Sequence, residues 1–159
     1  MNTELLDQAS ERCKARGTQL TPIRRDVLDL LYASDNGLKA YDLLEKIKHK
    51  RSNATPPTVY RALDFLMAQG FVHKIESLNQ FIACRHDSHS LPGLFMVCRR
   101  CSKVTELHDP SLARALLESM RQAGNQPDCH EVEIASICPE CLSSDRGSDS
   151  PGLRNATGS

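Results

Sequence analysis

The chain has no net charge, no long apolar run and no compact catalytic signature, and each absence removes a class of protein. Its 159 residues balance 20 Lys and Arg against 20 Asp and Glu, so global electrostatics give no bias toward nucleic acid. No stretch approaches the roughly 18 apolar residues of a membrane span. The start, MNTELLDQASERCKAR, lacks the apolar core of a secretory signal, and the expected compartment is the cytoplasm. No His-Glu-x-x-His motif or comparable pairing marks a hydrolytic metal centre, and no internal repeat is visible. With 40% hydrophobic and 25% charged residues, the composition is that of an ordinary globular chain and excludes wholesale disorder.

What is present is metal-binding chemistry. Seven Cys in a reducing compartment, four of them in two C-x-x-C pairs, point to metal rather than to a disulfide framework. The stretch Phe71 to Cys101 is the densest: it holds His73, His86 and His89 together with Cys84, Cys98 and Cys101. The length suits one ordinary domain or two small ones, and two small ones stapled by a structural metal fit the pattern better.

Before that stretch the chain reads as helices. Leu5, Leu6, Ala9 and Cys13 recur at helical spacing, with Cys13 as a buried, inert thiol. Thr21-Pro22 and Thr55-Pro56 are helix starts in which threonine caps free amides and proline loses nothing at the first position. Between them lies a short helix, AYDLLEKIKHK. In TVYRALDFLMAQG the residues Val59, Leu63 and Leu66 form one buried stripe, and Gly70 is a left-handed stop. FVHKIES and QFIACR then form a hairpin around Leu78-Asn79.

Helices followed by a hairpin make a winged helix-turn-helix. Such a recognition helix lies in the DNA major groove with its early side chains on base edges. Thr58 and Arg61 stand near its amino-terminal end, and Arg61 can donate two hydrogen bonds to guanine. Tyr41, Arg24 and the KIKHKR cluster can hold phosphates, which position the protein without specifying sequence.

After Pro92-Gly93 the expected order is two strands around Cys98-Arg-Arg-Cys101, a helix from Asp109-Pro110 with Leu112, Leu116 and Met120 inward, and a strand, HEVEIASI, leading to Cys138-Pro-Glu-Cys141. Cys129 reads as a lone thiol, and the residues from Ser143 onward read as disordered. Cys98, Cys101, Cys138 and Cys141 are four thiolates for a closed, tetrahedral, structural zinc site. A second, mixed site is formed by His73, Cys84, Glu106 and either His89 or His86; its sulfur, nitrogen and carboxylate donors suit zinc. Its ligands come from both modules, so an ion there would act as a clasp.

TPIRRDVL, AYDLL, PPTVYRALDFL, QGFVHKIES and the CRRC with CPEC pair together resemble the ferric uptake regulator (Fur) family, and most closely its zinc-uptake-regulator (Zur) branch. The likeness covers roughly residues 5 to 141. It implies an α+β chain: a winged-helix DNA-binding domain at 1–83, a hinge at 84–93, a zinc-stapled α/β dimerisation domain at 94–142 and a disordered tail at 143–159. It further implies a cytoplasmic homodimer, not an enzyme, that represses zinc-acquisition genes on double-stranded operator DNA and carries two zinc ions per chain.

Carried over by residue, the resemblance makes the Cys quartet structural, His73, Cys84, Glu106 and His89 regulatory, and Tyr41 and Arg61 a base-reading pair. The loop CRHDSHSLPGLFMVC departs from the family register; His89 is preferred over His86. No complete third site is expected, because Leu112 and Ala113 stand where some relatives place an acid; His108 and His130 are expected to be structural or exposed. The rival readings are a Fur-family sensor of iron, manganese or peroxide, and a zinc-stapled interaction scaffold.

Overall fold

A computed structural model describes residues 2–85, 91–128 and 130–145. Four helices open the chain: α1 (Asn2–Ala15), α2 (Pro22–Tyr32), α3 (Ala40–Lys50) and α4 (Pro56–Ala68). Each buries one stripe. Leu6, Ala9 and Cys13 of α1, Val27, Leu28 and Leu31 of α2, Leu43, Leu44 and Ile47 of α3, and Val59, Leu63 and Leu66 of α4 meet in one apolar cluster. The predicted stripe of α4 is therefore observed. Proline stands at the start of both α2 and α4, but neither Thr21 nor Thr55 caps with its side chain. The Thr55 hydroxyl lies 2.9 Å from that of Thr58 instead, a local partner that competes with the helix amides.

A hairpin follows: β1 (Val72–Ile75) and β2 (Gln80–Ala83), antiparallel, with His73 opposite Ile82. A single 3-10 turn at Glu76–Leu78 and the left-handed Asn79 join the strands. Side chains alternate across a strand, and both faces of this hairpin are covered. Val72, Phe81 and Ala83 enter the helical cluster. Ile75 and Ile82 face the other way and pack with Phe95, Val97 and Val104 in a second cluster.

That second cluster belongs to a three-stranded sheet, β3 (Gly93–Cys98), β4 (Val104–Leu107) and β5 (Glu131–Ser136), in the order β4-β3-β5. β3 and β4 are antiparallel. β5 returns parallel to β3, with Cys98 opposite Ser136, after the crossover helix α5 (Pro110–Gln122). Asp109 caps α5 by accepting the Leu112 amide at 3.0 Å. The inward assignment of Leu112 fails: it is 43% exposed, and Ala113 is the one buried residue of α5. Among the described residues, Leu116, Leu117 and Met120 of this helix are half-buried. A short helix α6 (Pro139–Asp145) occupies the start of what reads in sequence as a disordered tail. Among the described residues, no helix is long and apolar enough to cross a membrane.

One glycine closes the helical half onto the hairpin. Leu38 and Phe81 exchange backbone hydrogen bonds of 2.9 and 2.8 Å, which pins the Phe81 carbonyl. Gly37, just before, has φ +76°, and a Cβ there would lie 2.5 Å from that oxygen. Gly37→Ala should thus lose about 2 kcal/mol or more, from strain plus collision with immobile backbone. Gly17→Ala, where φ is +70° but the space is open, should lose only about 1 kcal/mol. Urea unfolding of the two variants beside the parent chain measures the difference.

Candidate metal centres and nucleic-acid interface

The parallel pairing of β3 with β5 decides the first centre. Because the two strands run the same way in register, both C-x-x-C segments leave the sheet at the same end. The Arg99 amide donates to the Ser136 carbonyl at 2.9 Å, holding the strand ends together. Left-handed Ser102 (φ 60°) turns the chain back after Cys101. Across the gap α6 presents Cys141, and the Cys138 amide donates to Cys98 Sγ at 3.3 Å.

The thiol sulfurs of Cys98, Cys101, Cys138 and Cys141 all lie within 4.8 Å of one another, and those of Cys101 and Cys138 are 3.5 Å apart. A tetrahedral ion with metal–sulfur bonds of about 2.3 Å needs sulfur–sulfur edges of about 3.8 Å, so the donors fit such an ion. The electrostatics agree. Backbone amides of Cys101 and Cys138 donate to Cys98 and pull its pKa down to about 6, whereas hydrogen bonding to Cys138 and Cys101 pushes Cys141 up to about 12. A thiolate forms readily at Cys98, and the neighbouring thiols oppose one at Cys141. Lys103 adds a 2.7 Å ion pair to Glu140, whose other oxygen lies 3.7 Å from Cys138 Sγ.

The second set of donors gathers where hairpin and sheet meet. His73 on β1, Cys84 just after β2 and Glu106 on β4 line one cavity of about 730 Å³, together with His108, His130 and Glu131. Among the described residues only the Cys quartet closes to ion-sharing distance; the mixed donors share a cavity wall without that spacing. Cys84 is buried, its amide donates to the Phe71 carbonyl at 2.8 Å, and the Tyr32 hydroxyl reaches its carbonyl at 3.4 Å.

His73 stands against the Phe95 ring, with centroids 5.2 Å apart. Its Nδ1 lies 2.7 Å from Glu131 Oε1. Burial pulls the imidazole pKa down, but hydrogen bonds to Cys84 and Glu131 outweigh it and raise the pKa to about 9. His86, His89 and Cys129 lie outside the described residues. His108 and His130, read from the sequence as structural or exposed, are exposed at the wall of this cavity.

In the helical half, Tyr41 is 70% exposed near the start of α3, and Arg61 is exposed on α4. Thr58 is half-buried beside Thr55. The Arg24 guanidinium lies 3.5 Å from the centroid of the Phe65 ring, and its Nη1 donates to the Gln19 carbonyl at 2.7 Å. The basic KIKHKR run is also partly engaged. Arg51 meets Asp26 at 2.6 Å, Lys50 meets Asp29 at 3.4 Å and Lys48 meets Glu45 at 3.5 Å, while Lys46 is exposed. Sequence reasoning missed Tyr60, 52% exposed beside Arg61; its place off the Val59–Leu63–Leu66 stripe was the available signal.

The chain is similar to known proteins over most of its length. Residues 15–135 match the model of the Ferric uptake regulator family. The Zinc uptake regulation protein of Escherichia coli (strain K12) is 46% identical over 140 residues, 87% of this chain and 82% of that protein. A solved Zinc Uptake Regulator complexed with zinc and DNA superposes with a TM-score of 0.82 at 35% identity, covering 92% of this chain and 98% of the other. Holo XcZur gives 0.76 at 40% identity over 88% and 98% of the two chains, whereas apo XcZur gives 0.51 at 39% identity over 88% and 97%.

The quartet makes a concrete prediction. The purified chain should keep one ion through dialysis against a chelator that strips weaker sites, and Cys138→Ser should lose it. Counting bound metal, with amide hydrogen exchange across β3 and β5, should show both the loss and faster exchange in those strands.

Proposed function

The chain belongs to the ferric uptake regulator family, and from that premise we propose that it is a zinc-responsive transcriptional repressor. It binds operator DNA as a homodimer when regulatory zinc is bound, and so controls zinc-uptake genes in the cytoplasm. It is a regulator rather than an enzyme. The observation that carries the reading is the convergence of His73, Cys84 and Glu106, from both sides of the 84–93 hinge, on one cavity. Similarity to zinc uptake regulators over most of the chain supports it.

Two zinc ions per chain are assigned. Cys98, Cys101, Cys138 and Cys141 hold the structural one; His73, Cys84, Glu106 and His89 hold the regulatory one. When bound, zinc offers a redox-inert positive centre that takes sulfur, nitrogen and oxygen donors alike. The chain's own part is positional. His73 and Cys84 move with the helices and hairpin, and Glu106 moves with the three-stranded sheet. Drawing them to one point keeps the two halves in one placement, and in a dimer keeps two recognition helices at the separation of palindromic half-sites.

The fall in TM-score from holo to apo XcZur at nearly equal identity supports a placement of this kind that responds to metal. A 100-fold preference for it corresponds to about 3 kcal/mol of coupling. A second copy would cover the exposed apolar residues of the second half, Leu112 on α5 and Ile134 on the edge strand β5.

On DNA, Tyr41 and Arg61 read bases, Thr58 and Tyr60 flank them on α4, and Arg24 is held on Phe65 toward the backbone. Arg51, tied to Asp26, braces α3 on α2 instead of reaching for phosphate. The family also contains sensors of other metals and of peroxide; the buried thiol of Cys84 in the donor set favours zinc.

The test is operator binding by fluorescence anisotropy while free zinc is buffered and bound metal counted. Binding should appear only as the second zinc is taken up. Cys84→Ser should weaken zinc-dependent binding by at least about 30-fold, within the usual range of allosteric coupling, and leave the thermal midpoint within a few degrees. Iron or manganese working as well as zinc at equal free concentration would hand the function to the rival sensor. Arg61→Ala should cost about 1–3 kcal/mol and relax preference at one base pair. Lys46→Ala should weaken all sequences alike and flatten the salt dependence by about one unit.

A further inference from the structure

The hairpin touches β5 through two acidic residues of that strand. Glu131 lies 2.7 Å from Nδ1 of His73. Glu133, two residues on and on the same face, accepts the Glu76 amide and, at 3.2 Å, the Ser77 amide. The second contact explains itself as a cap on the turn between β1 and β2. The first has no such role: it engages one nitrogen of a ring that is only 12% exposed, stands against Phe95 and lines the mixed-donor cavity.

We infer that Glu131 is a positioning residue for the regulatory site: by accepting from Nδ1–H of His73 it fixes the imidazole so that Nε2 is the nitrogen offered to zinc. This rests on the reading of His73 as a regulatory ligand. Histidine ligands commonly give their second ring N–H to a carboxylate, which sets the tautomer, aligns the lone pair and raises ligand basicity; loss of such a partner typically weakens metal binding 10- to 100-fold. Glu131 has the required atom at the required distance. It also sits opposite Gly93 on β3, so the carboxylate orienting a hairpin ligand is carried by the sheet of the other half. His73 is thereby registered to that sheet, and the donor cluster is partly assembled in advance.

The test uses the full chain. Affinity for the second zinc is measured by competition with a chromophoric chelator for the parent, Glu131→Ala, Glu131→Gln, Glu133→Ala and His73→Ala, with the cobalt ligand-field spectrum of each loaded protein alongside. Glu131→Ala should weaken the second site 10- to 100-fold and leave the first zinc and the cobalt band positions unchanged. Glu131→Gln keeps an acceptor oxygen without the charge and should fall between the parent and Glu131→Ala.

Glu133→Ala removes the neighbouring hairpin contact without touching His73, and should leave affinity within threefold. An equal loss in Glu133→Ala would mean that the effect is general loosening and would overturn the inference. So would an unchanged affinity in Glu131→Ala, or a shifted cobalt spectrum, which would make Glu131 a ligand itself. If Glu131→Ala has no effect while His73→Ala abolishes the site, the inference alone falls. If His73→Ala is also silent, the regulatory reading of His73 falls with it.

Discussion

The constraint on which the rest of the molecule depends is that the β1–β2 hairpin is buried on both faces. Strand geometry sends neighbouring side chains to opposite sides, so Val72 and Phe81 can complete the helical cluster only if His73, Ile75 and Ile82 point away from it. That other side is occupied by Phe95, Val97 and Val104 of the three-stranded sheet. A one-residue slip would exchange the two sets and put a histidine into the helical core. Apolar packing on one face thus aims the imidazole of His73 on the other.

The second half meets a different constraint. Its own apolar cluster is small, with Phe95, Val97 and Val104 as its buried members from the sheet, and Leu112 of α5 stays exposed among the described residues. A sheet of this size cannot be expected to stand alone. Four thiols at the shared end of β3 and β5 answer the problem by tying two strand ends and α6 together. The spread of thiol pKa values, from about 6 at Cys98 to about 12 at Cys141, reflects how poorly such a cluster tolerates charge without a cation. Under the proposed structural role of the quartet, stability of this half and occupancy of the four thiols would be one thermodynamic quantity.

Much of this was legible in the chain. Apolar stripes at helical spacing placed α1 and α4, and a Thr-Pro start placed α2; two C-x-x-C pairs named the quartet; short runs of β-branched residues around Leu78-Asn79 marked the hairpin. The misses have physical causes. Thr21 and Thr55 have the chemistry of caps, but a hydroxyl can take a nearer partner, as Thr55 does with Thr58. Leu112 has the periodicity of a core residue, yet periodicity does not say whether the covering layer belongs to the same chain. At Arg24 the fold adds what the sequence does not show, the Phe65 ring beneath the guanidinium.

By itself, then, the sequence determined which residues form helices and strands, and which atoms are available as ligands, because those follow from local periodicity and side-chain chemistry. Tertiary structure alone decided which donors meet. The parallel return of β5 beside β3 unites pairs separated by a strand, a helix and another strand, and it carries Glu131 to Nδ1 of His73, 58 positions away in the chain. No local pattern encodes that contact, since it depends on sheet order and register, which are settled only when both faces of the hairpin are packed.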